Sequence, residues 1–189
     1  MSTYLRQIPN AITIARMLSM IPLVWLMWHK EYKVALVVAL LAGASDGLDG
    51  FLAKKYNWQG RLGSILDPLA DKLMMLCCYT VFVLQGVLPS WLYFIIVIRD
   101  VVIVLGTTYY NFRIGRLKEA TPSLVSKCNT ALQILLILVL LITLSSWYDL
   151  SIMHWPLMIA VACFSLMSGM HYVWLGLNMA RKAKIHKED

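Results

Sequence analysis

The sequence predicts an all-α integral membrane protein, a bundle of six transmembrane helices with a short N-terminal juxtamembrane helix. Hydrophobic residues make up 60% of its 189 residues and charged residues only 14%, whereas about a quarter of the residues in a soluble domain are charged. The apolar residues form six stretches, each close to the ~20 residues that cross a bilayer as a helix. Their approximate bounds are 11–28, 34–52, 64–85, 88–111, 124–146 and 152–178. Because these stretches use most of the chain, we expect a single membrane domain over residues 1–189.

The N-terminal segment precedes the first apolar stretch. Its residues 4–8, before Pro9, form a short amphipathic stretch that is predicted to lie along the membrane surface. The first apolar stretch is interrupted by Arg16 and lacks a small-residue cleavage site. We therefore expect the segment to be retained rather than removed as a signal peptide.

Basic residues are distributed unevenly among the connections. They concentrate in the second-to-third and fourth-to-fifth connections and in the tail: Lys54, Lys55, Arg61, Arg113, Arg116, Lys118, Arg181, Lys182, Lys184 and Lys187. The third-to-fourth and fifth-to-sixth connections contain neither Lys nor Arg. The positive-inside rule then places both termini and the basic connections in the cytoplasm, beneath the inner membrane in a bacterium. The net charge of +7 thus indicates anionic lipid headgroups as partners, and no nucleic acid.

Four aspartates lie in or beside the second and third apolar stretches, around a basic connection: Asp46, Asp49, Asp67 and Asp71. An ionised carboxylate in hydrocarbon costs about 2.5–3.5 kcal/mol on insertion scales, so four of them need a counter-charge. On helices, spacings of three and four residues place each pair on one face. An all-carboxylate set favours Mg²⁺, Mn²⁺ or Ca²⁺, and two such ions could bridge phosphate oxygens on the cytoplasmic side.

Glycines accompany the aspartates at positions 47, 50 and 63, where they would let a phosphate or nucleotide approach the helix backbone. Two structural alternatives remain: helix packing through Gly43 and Gly47, and aspartates paired with basic neighbours. A functional alternative is a metal-ion channel or transporter, because carboxylates in a bundle can line an ion path. Against a channel, no second acidic cluster lies deep in the other apolar stretches.

The order of these residues resembles the signature of the CDP-alcohol phosphatidyltransferases. The pattern is Asp46-x-x-Asp49-Gly50-x-x-Ala53-Lys54, then eight residues, then Gly63-x-x-x-Asp67-x-x-x-Asp71. It departs from the family at position 54, where arginine is usual. Lysine keeps the charge but lacks the two-pronged guanidinium, which weakens the case for a direct phosphate contact there.

The resemblance implies transfer of a phosphatidyl group from CDP-diacylglycerol to an alcohol with release of CMP, by a six-helix homodimer. It implies two divalent ions, Mg²⁺ or Mn²⁺, in each active site. Its metal ligands would be Asp46, Asp49, Asp67 and Asp71, with Asp71 also acting as the general base. The CDP site would be lined by Gly50, Ala53, Lys54 and Gly63.

The acceptor alcohol is less clearly indicated. The segment Ile8–Arg16 resembles an element shared by phosphatidylglycerophosphate synthases and eukaryotic-type cardiolipin synthases. The pair Arg99-Asp100 and the run Ser126-Lys127-x-Asn129-Thr130 resemble the cardiolipin synthase branch; the other branch tends to show Arg-Glu and Gly-Lys-x-Lys-Thr. We therefore expect phosphatidylglycerol as acceptor, with glycerol 3-phosphate as the alternative.

Both acceptors carry a phosphate, which needs a basic site. Arg99 and Lys127 lie within or at the mouth of apolar stretches, and Arg113 lies in the adjoining cytoplasmic connection. Because an unpaired cation is costly in a membrane, we predict that these three residues bind the acceptor phosphate. The alternative is that Arg99 pairs with a structural acid while Arg113 and Lys127 face lipid headgroups.

Overall fold

The chain folds into α-helices joined by short connections. The computed structural model describes residues 8–56, 63–113 and 124–185, and the side-chain surroundings of 18–45, 71–106 and 124–174. These residues contain six helices and no strand. The helices are α1 (Ile8–Trp28), α2 (Tyr32–Tyr56), α3 (Gly63–Leu84), α4 (Ser90–Arg113), α5 (Leu124–Leu144) and α6 (Ser151–Ile185). The prediction of an all-α chain with six helices is confirmed for this part. The predicted juxtamembrane stretch lies outside the described residues, except Ile8, which begins α1.

Among the residues whose side chains the structure describes, two helical segments are long and apolar enough to cross a membrane. They are Leu124–Leu144 and Ser151–Trp174. Shorter apolar segments are Leu18–Trp28 and Tyr32–Ser45.

The helices form two compact units. The first contains α1, α2, α3 and the C-terminal part of α5 from Ile137; the second contains α4, the N-terminal part of α5 and α6 from Ile152. The prediction of a single domain stays a prediction.

The core of the first unit is built around α1, which packs against both α2 and α3. Buried side chains on α1 recur at the spacing of one helix face, at Met20, Leu23 and Met27. The buried residues of α2 include Tyr32, Ala35, Leu36 and Ala42, and those of α3 include Met75, Cys78, Tyr79 and Phe82.

Three helices end in the same way, with a left-handed residue just after the last turn: Lys30 (φ 62°), Gly86 (φ 72°) and Ser146 (φ 57°). After α3, the Gly86 amide donates to the Val83 carbonyl (3.0 Å) and the Val87 amide to the Phe82 carbonyl (2.9 Å). These bonds satisfy carbonyls that the last turn would leave without partners. Each of these helices therefore ends within two residues of its last turn.

Candidate functional site

The signature residues lie on α2 and α3, at the two ends that the second-to-third connection joins. Asp46, Asp49 and Lys54 belong to the second half of α2, which ends at Tyr56. Asp67 and Asp71 belong to the first half of α3, which begins at Gly63. Both helices are in the first compact unit. The chain between Tyr56 and Gly63 can span at most about 25 Å, so these helix ends stay near each other.

The helical register places the aspartates in line with the packed faces of their helices. On α2, positions 46 and 49 follow the buried Ala42 by four and seven residues. On α3, Asp71 precedes the buried Met75 and Cys78 by the same intervals. Since residues at these intervals share a helix face, the stripes that pack around α1 lead directly into the aspartate positions.

The structure describes the side chain of Asp71 alone among the four, and it is half-buried. The side chains of Asp46, Asp49 and Asp67 lie outside the described residues, as do those of Gly50, Ala53, Lys54 and Gly63. The described side chains include no group of three or more His, Cys, Asp or Glu that could hold a metal. The predicted ligand set and CDP site therefore stay predictions.

Packing through glycine, the first alternative explanation of this region, finds no partner in the described part of the chain. A Cβ atom built at Gly43 would meet no described atom within 4 Å. Gly47 lies outside the described side chains.

A second polar region lies in the second compact unit, around Arg99 of α4. This side chain is only 4% exposed. Its Nη1 donates to Asp100 Oδ1 (2.6 Å), and its Nη2 donates to Ser126 Oγ of α5 (2.5 Å). Its Nε and Nη2 both donate to Ser168 Oγ of α6 (3.3 and 2.9 Å). One guanidinium thus links three helices, and a carboxylate that is 23% exposed balances its charge.

One helical turn further along α5 and α6, a second pair of buried polar side chains meets. Ser165 Oγ donates to Asn129 Oδ1 (3.0 Å), and both residues are fully buried. Asn129 follows Ser126 by three residues, and Ser165 precedes Ser168 by three. The two antiparallel helices therefore form a polar ladder, whose rungs are the Arg99 bonds and the Asn129–Ser165 bond.

The predicted acceptor residues occupy different surroundings. Arg99 is paired with Asp100, as the structural alternative required for this residue. Lys127 follows Ser126 on α5 and is exposed. Arg113 is the last residue of α4, and its side chain lies outside the described part. A phosphate site that uses all three stays a prediction.

Comparison with known proteins agrees with the signature. The sequence model described as CDP-alcohol phosphatidyltransferase matches residues 6–173, which include both aspartate pairs and Arg99. The chain belongs to the CDP-alcohol phosphatidyltransferase family. The predicted resemblance is therefore confirmed at the level of the family.

Relatives of this chain include proteins named as cardiolipin synthases and proteins named as glycerol-3-phosphate phosphatidyltransferases. A cardiolipin synthase (CMP-forming)/mitochondrial hydrolase fusion protein of Schizosaccharomyces pombe is 33% identical over 181 residues, covering 87% of this chain and 30% of its own. The human cardiolipin synthase (CMP-forming) is 33% identical over 148 residues, covering 69% and 48%. A CDP-diacylglycerol–glycerol-3-phosphate 3-phosphatidyltransferase of Aquifex aeolicus is 32% identical over 126 residues, covering 65% and 68%. The chain thus spans less than half of the length of the first two relatives.

The sequence analysis singled out Arg99, Asp100, Ser126 and Asn129 but missed their partners on α6. Serine in an apolar helix carries little information, because its hydroxyl can also bond to its own backbone. The spacing Ser165-x-x-Ser168-Gly169 was the available signal, since small polar residues on one face are typical of close helix contacts.

Proposed function

We propose that this protein transfers the phosphatidyl group of CDP-diacylglycerol to phosphatidylglycerol, which forms cardiolipin and releases CMP. The observation that carries the proposal is the family match over residues 6–173, with the complete signature from Asp46 to Asp71 inside it. The Arg99–Asp100 pair and the Ser126-to-Thr130 run favour phosphatidylglycerol as acceptor.

In the proposed reaction, Asp71 takes the proton from the acceptor hydroxyl. The hydroxyl oxygen then forms a bond to the phosphorus that bears diacylglycerol. The bond from this phosphorus to the bridging oxygen of the pyrophosphate breaks, and the electron pair leaves with CMP. The half-buried position of Asp71 suits a base that meets a lipid hydroxyl, because partial exclusion of water strengthens its electrostatic interactions.

Asp46, Asp49, Asp67 and Asp71 would hold two divalent ions. A donor set made only of carboxylates suits Mg²⁺ or Mn²⁺, and the register of α2 and α3 brings the four positions into line with the packed helix faces. When bound, the ions neutralise charge on the pyrophosphate and on the departing CMP. Gly50, Ala53, Lys54 and Gly63 would admit the CDP moiety, since three of them have small side chains or none.

Glycerol 3-phosphate is the second candidate acceptor, because the Aquifex aeolicus relative is named for its use. Arg99, Arg113 and Lys127 are the residues we propose for the acceptor phosphate in either case. Lys127 is exposed on α5 and can reach a headgroup, whereas Arg99 would act from a fixed, buried position.

We further propose that all six helices cross the membrane, with both termini and the active site on the cytoplasmic side, and that the protein is a homodimer. The absence of Lys and Arg from the third-to-fourth and fifth-to-sixth connections supports this topology. Two described helical segments are long and apolar enough to span. The dimer rests on the family resemblance, and light scattering of the purified protein in detergent tests it.

The function is tested with the purified full chain, CDP-diacylglycerol and Mg²⁺ or Mn²⁺. Phosphatidylglycerol and glycerol 3-phosphate are offered separately, and lipid products are identified by mass. We expect CMP and cardiolipin with phosphatidylglycerol, no reaction in the presence of EDTA, and a loss of at least about a thousandfold for Asp71→Asn.

Glu31→Gln is the matched control for Asp71→Asn, because it converts an exposed carboxylate outside the signature to an amide. It should keep the wild-type rate. If phosphatidylglycerophosphate is the sole product, glycerol 3-phosphate replaces phosphatidylglycerol as the proposed acceptor. If CMP is released with neither acceptor, the transferase proposal is rejected.

A further inference from the structure

The turn between α1 and α2 carries two lysines at the end of the first unit opposite to the signature. Lys30 lies in the turn and Lys33 in the first turn of α2, and both side chains are exposed. Neither side chain forms an ion pair or a hydrogen bond with a described residue. The third-to-fourth and fifth-to-sixth connections, which the proposed topology places on the same side of the membrane, contain no Lys or Arg. Because the orientation rule requires no cations on this side, the two lysines need another explanation.

Two tryptophans precede the lysines at the end of α1. Trp25 and Trp28 are 57% and 56% exposed, and Trp28 is the last residue of the helix. An indole combines an apolar body with one N–H donor, which suits the boundary between acyl chains and headgroups. This end of α1 therefore offers apolar faces and hydrogen-bond donors and, two residues after Trp28, a cation.

Along α1, the tryptophans continue into an exposed apolar strip. Leu18, Ile21, Trp25 and Trp28 are all more than half exposed and recur at the three- and four-residue spacing of one helix face. The helix rises about 15 Å from residue 18 to residue 28, which is half of the ~30 Å hydrocarbon core. The strip therefore matches the depth of one leaflet, and the headgroup of a lipid lying on it would reach the lysines.

The turn is held in one conformation by its own contacts. The Lys30 amide donates to the Met27 carbonyl (3.1 Å). The His29 ring lies against Trp25, with the ring centroids 4.3 Å apart, and His29 Nδ1 donates to the Trp25 carbonyl (2.9 Å). Because the turn and the Trp25 indole are already ordered, they lose little conformational entropy when a ligand binds.

Charge decides which lipid fits this surface. Two lysines and Glu31 give the segment a net charge of +1, with His29 neutral. A lipid phosphodiester supplies the opposite charge. The ammonium group of a zwitterionic headgroup would lie close to the lysines and be repelled, whereas an anionic headgroup carries no such cation.

We propose that Lys30 and Lys33, together with Trp25 and Trp28, bind the headgroup of an anionic glycerophospholipid of the outer leaflet, with an acyl chain along the apolar strip. About 20 Å of α2 separate Lys33 from Asp46, so this site is distinct from the signature. The assignment to the outer leaflet rests on the proposed topology. The binding itself requires neither the transferase reaction nor the aspartates.

The test measures how lipids quench the fluorescence of these two tryptophans in the purified full chain. The protein is placed in bilayers of phosphatidylcholine and phosphatidylmethanol, an anionic diester without an acceptor hydroxyl. One lipid or the other carries bromine on its acyl chains. The emission lost in the variant Trp25→Phe/Trp28→Phe isolates the two indoles among the seven tryptophans.

We expect the anionic lipid to associate at least about fivefold more strongly than phosphatidylcholine at these indoles, the factor that one lysine near an anionic surface supplies. The variant Lys30→Gln/Lys33→Gln should bring this ratio close to one. Both side chains are exposed, so the variant is expected to fold; Lys33→Gln alone, with a smaller loss of selectivity, replaces it if it does not. Lys182→Gln/Lys184→Gln removes the same charge from the basic tail and should keep the wild-type ratio.

Three results would overturn the inference. They are equal quenching by the two brominated lipids in the wild type, an unchanged ratio in a folded lysine variant, and loss of the selectivity when inorganic phosphate replaces chloride at matched ionic strength. The last result would assign the lysines to a free phosphate rather than to a lipid. Because quenching needs no turnover, failure of the proposed transferase function would leave this measurement unchanged.

Discussion

Gly86 is the residue at which α3 leaves its helical path, with a φ of 72°. Alanine at this position would place a Cβ atom in the left-handed region, which costs an L-residue about 1–2 kcal/mol. Nothing described lies within 4 Å of such an atom, so the cost is in the backbone rather than in packing. We predict that Gly86→Ala lowers the free energy of unfolding by about 1 kcal/mol, measured by denaturant titration in detergent.

Gly106→Ala is the matched control for this substitution. Gly106 lies inside α4, and a Cβ atom there would meet no described atom within 4 Å. Because alanine is favoured over glycine within a helix by about 0.5–1 kcal/mol, this variant should be as stable as the wild type or more so. Equal losses in both variants would show that the conformation of Gly86 is not the cause.

The chemistry of single residues could be predicted from the sequence where a charge stood in an apolar stretch. Arg99 and Asp71 were recognised in this way, because charge in a membrane needs an explanation. Ser165 and Ser168 were missed, because a hydroxyl is inexpensive in a helix that can bond to it internally and so draws little attention. Only the structure shows that Ser168 instead accepts two hydrogen bonds from Arg99.

At the scale of helices, the Gln85 side chain fastens three of them at one end of the first unit. Gln85 follows α3, and its Nε2 donates to the Met27 carbonyl (2.7 Å) and the Trp28 carbonyl (3.4 Å) in the last turn of α1. Its Oε1 accepts from the Tyr32 hydroxyl (2.8 Å), at the start of α2. The amide therefore uses its donor and its acceptor on different helices.

Removing either side of this link should weaken the packing of the first unit. We predict that Tyr32→Phe and Gln85→Leu each lower the free energy of unfolding by about 1 kcal/mol. Because both variants remove the same hydrogen bond, the double variant should lose about 0.5–1 kcal/mol less than the sum of the two. Tyr148→Phe, at an exposed tyrosine in the turn before α6, should have little effect. Strictly additive losses would show that the Tyr32–Gln85 bond contributes no stability.

The sequence located the helices better than it located their ends. Hydropathy predicted a second stretch over 34–52 and a sixth over 152–178, whereas α2 runs to Tyr56 and α6 to Ile185. The end of α2 contains lysines, and the end of α6 contains lysines and an arginine. These residues favour helix but end an apolar stretch. The end of an apolar stretch and the end of the helix that contains it are therefore different positions. Hydropathy predicts only the first of them.

At the scale of the whole molecule, the two candidate regions fall in different compact units. The signature aspartates lie on helices of the first unit, and the polar ladder lies in the second. A motif with fixed spacing predicted the first region, because its residues are close in the sequence. The ladder joins residues up to 69 positions apart, and no local pattern indicates such a contact.

Charge distribution predicts how the whole chain is oriented in a membrane. The second-to-third connection carries Lys54, Lys55 and Arg61, whereas the turn after α5 has no basic residue. Because basic connections stay in the cytoplasm, we predict opposite sides for cysteines introduced by Gln59→Cys and Ser146→Cys. A membrane-impermeant maleimide added to intact cells should label Ser146→Cys at once and Gln59→Cys only after permeabilisation.

The labelling requires a background in which the four free cysteines are replaced: Cys77, Cys78, Cys128 and Cys163. Transfer of the phosphatidyl group by this background shows that the protein still folds. Labelling of both sites from outside would contradict the six-helix topology, because an odd number of spans must separate Gln59 from Ser146. Labelling of Gln59→Cys alone would indicate the reverse orientation. The aspartates would then lie on the outer side, where CDP-diacylglycerol and Mg²⁺ would have to be supplied from outside the cell.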